Sequence, residues 1–212
     1  MRCMSHKYLI ATLTLFLGLP TSCGIFPTKK KAAKIAESDL DLAGTWKGGC
    51  SAIDWAGGKS YQVSTIRFSP FGDFDKETAL FSDPGCGTGV GRVEEHGTYA
   101  ALGKSKTVAG ANDINFTVLS ASITPSDADL TSGLNRSGFC ELSDWQVGKA
   151  SDVLDKDCAG VRRFRGIVIY DIYRIDDDRD EIAVGRGSIL ADQANVDARP
   201  TELDESRELT KQ

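Results

Sequence analysis

Beyond residue 42 the chain breaks into short runs rich in Val, Ile, Phe, Tyr and Thr, separated by clusters of Gly, Pro, Asn and Asp. No other feature narrows the fold as much. Runs of this kind with turn residues between them point to an all-β sandwich or barrel. Strands are expected near 43–52, 60–69, 73–82, 96–103, 112–123, 162–175 and 181–190, with an eighth between 139 and 148. In "INFTVL", Ile114, Phe116 and Val118 alternate with Asn115 and Thr117, so one face of that strand is buried. "YQVSTIRF" shifts its apolar phase from Tyr61 and Val63 to Ile66 and Phe68, which predicts a bulge near Ser64 and Thr65. "GIVIYDIYRI" at 166–175 is apolar on both faces, so either the C-terminal segment or residues 124–160 must cover its outer side. "SPFGDF" at 69–74 and "DDDRDE" at 176–181 read as the turns of antiparallel hairpins. Residues 124–160 are the least regular, with a short helix expected from Ser126, its cap, to Leu134, ended by Gly133. No internal repeat is visible, which excludes solenoids and propellers.

The N-terminus has its own pattern. Arg2, His6 and Lys7 flank or precede the apolar run 8–20, and the small residues Thr21 and Ser22 follow, as in an export signal. That run is shorter than the roughly 20 residues needed to span a bilayer. "LPTS" followed by Cys23 and Gly24 resembles a bacterial lipobox, although Pro20 departs from its usual pattern. The resemblance implies cleavage before Cys23, lipidation of that cysteine and, with Gly24 behind it, sorting to the outer membrane of a bacterial cell envelope; ordinary cleavage near Cys23 is the alternative. The organisation expected is a signal peptide at 1–22, a tether at 23–40 and one domain at 41–212. The tether carries four lysines, suited either to anionic headgroups, at about 1 kcal/mol each near the surface, or to a solvated linker.

Cleavage removes two of the 25 basic residues and none of the 30 acidic ones, leaving a charge of −7, which argues against nucleic acid as a partner. Six cysteines fall to four once Cys3 leaves with the signal and Cys23 carries lipid. Cys50, Cys86, Cys140 and Cys158 in an exported chain read as two disulfides. Of three connectivities the sequential one, Cys50 to Cys86 and Cys140 to Cys158, is expected. There is no C-x-x-C, and His96 is the sole histidine beyond the signal, so no metal site and no cofactor are expected.

Catalytic patterns are equally sparse. A Ser-His-Asp set would need His96 as its base, yet "VEEHGTY" reads as an exposed turn and no G-x-S-x-G is present. The acidic residues of 176–181 lack EF-hand spacing, and "GCGTGVG" at 85–91 lacks the Lys-Ser/Thr of a phosphate loop. No catalytic residue is assigned.

Gly44-Thr45-Trp46 resembles the G-x-W that opens a lipocalin barrel. Further pieces resemble bacterial lipocalin-like lipoproteins: Cys50, "FSDPGC" at 81–86, "GTY" at 97–99, "NRSGFCELSDW" at 135–145 with Cys158 downstream, and "ARPTELDESRELTK" at 198–211. The resemblance implies an antiparallel eight-stranded lipocalin-like barrel with an irregular insertion near 124–160, plugged by Trp46 beneath Arg186 or Arg199. It also implies a membrane-anchored carrier holding a small hydrophobic ligand among Tyr61, Val63, Tyr99, Phe116, Val118 and Ile169, with Trp145 near the mouth. The alternative is a solid barrel whose loops 83–96 and 124–160 bind a protein, for example as a hydrolase inhibitor, with Trp145 and Phe139 as anchors.

Overall fold

The computed structural model describes residues 37–55, 58–158, 161–162, 164–176, 178, 180–185, 199–205 and 208–212. Cys23 and Arg186 lie outside them. In chain order the elements are α1 (Glu37–Leu42), β1 (Gly44–Gly48), β2 (Ser51–Trp55), β3 (Gly58–Phe68), β4 (Asp73–Phe81), β5 (Gly89–Lys104) and β6 (Asn112–Pro125). There follow α2 (Ala128–Ser137), a single 3-10 turn (Phe139–Glu141), β7 (Ser151–Asp152), β8 (Asp157–Cys158), β9 (Val161–Arg162), β10 (Val168–Asp176), β11 (Glu181–Val184) and β12 (Leu209–Lys211).

Alternating burial along β4 and β6 shows why a barrel forms: every second side chain needs a common interior. Eight strands close it, all antiparallel, in the order β1-β3-β4-β5-β6-β10-β11-β12 and back to β1. β2 prolongs β1 along β3, β7 adds to β6 beyond the reach of β10, and β8 pairs with β9 in a separate two-stranded ribbon. At the lower end of the barrel are α1, the 69–72 turn, the 105–111 loop and the β10–β11 turn. The β2–β3 hairpin, the 82–88 loop and α2 mark the upper end.

Several expectations change. The eighth strand is β12, not 139–148; its "LTK" carries one apolar residue and no readable alternation, and its partners β1 and β11 define it. β5 begins at Gly89, before "VEEH", because 89–95 pair with β4 and β6. No bulge breaks β3 against β4, whose register runs unshifted from Tyr61↔Phe81 to Phe68↔Phe74. The irregularity is on the other side, where one extra residue separates β1 from β2 around Gly49 and Cys50. α2 starts and stops later than expected: Asp127, whose side chain accepts from the Leu130 amide, caps it, and Gly138 at φ 62° ends it.

The C-terminal segment covers the outer side of β10. The Arg199 guanidinium donates to the carbonyls of Ile114 (3.1 Å) and Asp171 and to Asn115 Oδ1 (2.7 Å), and stands 5.3 Å from the Tyr170 ring centre. Both expected disulfides, Cys50–Cys86 and Cys140–Cys158, are formed.

Candidate functional site

Residues straight across from one another on neighbouring strands share a face, so the register states what fills the barrel. One level holds Gly44, Phe68, Phe74 and Gly97 with Val118; the next holds Trp46, Ile66, Lys76, Glu95 and Ala121; above them come Gly48, Ser64, Thr78, Val93 and Ile123. The aromatic rings pack on each other, with Phe68 4.9 Å from Tyr99 and Phe74 5.1 Å from Phe116 between centroids. Gly97 has no room for a side chain: a Cβ there would collide with the Thr117 carbonyl oxygen and lie 2.8 Å from Phe74.

Midway up, Lys76 Nζ meets Glu95 Oε2 at 2.9 Å, with both side chains almost fully buried. The void bounded by Ile66, Phe68, Phe116, Tyr173 and Leu209 measures about 10 Å³, room for at most one water.

Trp46 is 1% exposed, its indole nitrogen donating to the Leu42 carbonyl at 2.8 Å. Arg199, expected above this ring, is spent on β6 and β10. Lys211, opposite Trp46 in register, takes the place over it at 5.1 Å.

The proposed ligand residues do not gather around one space. Tyr99, Phe116, Val118 and Ile169 point inward and pack as core. Tyr61 and Val63 share a face with Phe81 and Ala79, outside the barrel. Their run shifts its apolar phase because the inward positions of β3 become polar above Ile66: Gln62 is buried, and Ser64 Oγ lies 3.4 Å from Thr78 Oγ1. Trp145 and Phe139, read as mouth or partner-facing residues, are 3% and 8% exposed. They belong to a cap in which Asn135 holds the Trp145 backbone at both its amide (2.8 Å) and carbonyl (3.0 Å).

The outer surface offers more. Thr45, Thr65, Arg67, Asp75, Glu77, Glu94, His96, Ser120 and Ser122, with Lys76 and Glu95 between them, line an open groove of about 500 Å³ across β1 and β3 to β6. Asp75, His96 and Ser120 stand side by side on three successive strands. His96 is therefore a strand residue, not a turn residue, and its Nδ1 lies 2.7 Å from Asp75 Oδ1. These are the residue types of a nucleophilic triad, but His96 and Asp75 are 50% and 62% exposed, so water competes for each bond. One row away, Glu77 faces Glu94 directly across β4 and β5. Like charges in that relation destabilise a sheet, a cost that Arg92 offsets by pairing with Glu94 at 3.0 Å.

The 82–88 loop is fixed twice, by the Cys50–Cys86 disulfide and by Asp83. The Asp83 carboxylate accepts from the amides of Gly85 (3.0 Å), Gly87 (3.1 Å) and Thr88 (2.6 Å). The Thr88 amide, then Gly87, hold its pKa below the ordinary carboxylate range. Sequence reasoning missed the groove because its residues are separated by up to 77 positions (Thr45 to Ser122) and meet only through register. No family model matches the chain, and comparison with curated proteins finds no significant match.

Proposed function

We propose that this protein is a lipid-anchored lipoprotein of the bacterial outer membrane, lipocalin-like in form, that acts without catalysis as a protein-binding module. The filled interior carries the reading. A hydrophobic ligand needs a pocket of about 300 Å³ or more, whereas among the described residues the void lined by Ile66, Phe68, Phe116, Tyr173 and Leu209 is about 10 Å³ and an ion pair sits beside the aromatic core. A carrier would have to expel Trp46, Phe68 or Phe116 to seat its cargo.

Binding then belongs to the outer surface. The groove carries Asp75, Glu77 and Glu94 against Arg67 and His96, with Glu94 facing Glu77 and paired with Arg92 at its edge. A basic protein surface, such as that of a secreted cationic hydrolase, would complement these three carboxylates and be steered by them.

The test is titration calorimetry of the intact chain against a panel of basic secreted hydrolases, in low and high salt. A binder is expected whose affinity falls at least tenfold with Glu77→Lys plus Glu94→Lys and weakens with salt. Binding that ignores both changes would place the contact elsewhere.

A further inference from the structure

Among the described residues, three of the most exposed large apolar side chains are Phe71 at 81%, Leu40 at 57% and Leu102 at 56%. All three border the lower end of the barrel. Phe71 sits in the 69–72 turn, which is tied to β5 by Tyr99: its amide donates to the Gly72 carbonyl (2.7 Å) and its hydroxyl to the Ser69 carbonyl (2.8 Å). Leu102 is further down β5, at the register shift between Ala101 and Gly103. Leu40 is on α1, just before the Leu42 that receives the Trp46 indole and beside β5. Lys104 and Lys106 follow Leu102 and are exposed.

The charges at this end are divided. Asp41 and Asp73 stand next to the apolar residues and are exposed. The acidic turn holding Asp176, Asp178 and Asp180 is on the opposite wall, since β10 and β11 lie across the barrel from β3 and β4 in the strand order.

The chain also enters the fold at this end, through α1. Between Cys23 and Glu37 are 13 residues, 24 to 36. Fully extended, 13 residues reach about 45 Å at most, so a lipid on Cys23 would tether the barrel through the end at which α1 enters.

We infer that the lower end is a membrane-contact rim. Phe71, Leu40 and Leu102 enter the interfacial layer of an anionic bilayer, and Lys104 and Lys106 meet its headgroups. The barrel tilts toward β3–β5, which lifts the acidic β10–β11 turn off the surface. Orientation by this rim rests on the envelope-lipoprotein reading, although the contact itself needs only a bilayer.

The experiment uses the full chain, exported and processed by its host, on vesicles of phosphatidylethanolamine and phosphatidylglycerol. Phe71→Trp and Leu102→Trp are compared with Val147→Trp, which lies in the cap, and with the parent chain, which supplies the background of its own three tryptophans, Trp46, Trp55 and Trp145. The first two are expected to emit at shorter wavelength on vesicles and to be quenched several-fold more by lipids brominated near the headgroup than Val147→Trp. Mass analysis of the mature N-terminus reads lipidation separately. Quenching in a chain without lipid keeps the rim and removes the anchor. A lipidated, vesicle-bound chain without quenching overturns the rim and keeps the anchor, and neither signal overturns both. A blue shift that requires an added protein also overturns the rim, in favour of a protein occupant.

Discussion

Single side chains decide how the interior is used. Lys76 and Glu95 each occupy a position that alternation reserves for an apolar residue, and their 2.9 Å pairing makes this tolerable. Removing one partner of a buried pair costs about 3–5 kcal/mol, whereas replacing both by apolar residues is often neutral or better. Lys76→Met is therefore expected to shift the urea unfolding midpoint strongly downward, and Lys76→Met with Glu95→Leu to recover most of the loss. Asp83 gives the pH counterpart. Its pKa is lower folded than unfolded, so its contribution is present above the ordinary carboxylate range and is lost as pH falls through the folded value. Protection factors of the Gly85, Gly87 and Thr88 amides, corrected for the fall of intrinsic exchange with pH, should drop in acid below that range, and in Asp83→Asn at neutral pH. Unchanged protection in the variant would contradict the role given to this carboxylate.

Elements differ in how far local pattern defines them. β6 was legible because Ile114, Phe116 and Val118 alternate through a half-buried strand. β12 was not, since three residues carry no period and only pairing with β1 and β11 makes them a strand. The 124–160 segment deceived for another reason: its Trp145 and Phe139 suggest a binding surface, but burial depends on whether the segment folds back as a cap, a tertiary fact. Likewise, the triad-like row Asp75, His96 and Ser120 exists only through the registers of three strands. The cap is held by Cys140–Cys158, which closes a loop with a sequence separation of 18. Loop-closure entropy puts its worth at about 3 kcal/mol. Cys140→Ala with Cys158→Ala should lower stability by roughly that amount in urea, with amides of α2 losing protection before those of β4 and β5. Uniform loss across cap and barrel would show instead that the two unfold as one unit.

At the scale of the whole molecule, the barrel is closed on itself, plugged below by α1 and Trp46, and capped above by residues 126–158. Closure was readable from strand count and the G-x-W resemblance. Whether it encloses space was not, because inward alternation looks the same in a hollow barrel and a solid one. Function is accordingly expected on the outside, with the acidic groove on the flank and the apolar rim turned toward the anchor. Native mass spectrometry tests the solid interior most directly, using full chain carrying Cys23→Ser and isolated from the envelope of its expression host. The expected spectrum shows the protein alone, with two disulfides and no mass lost on denaturation. A lipid-sized mass that departs only when the protein unfolds would contradict a filled barrel and return the function to its interior.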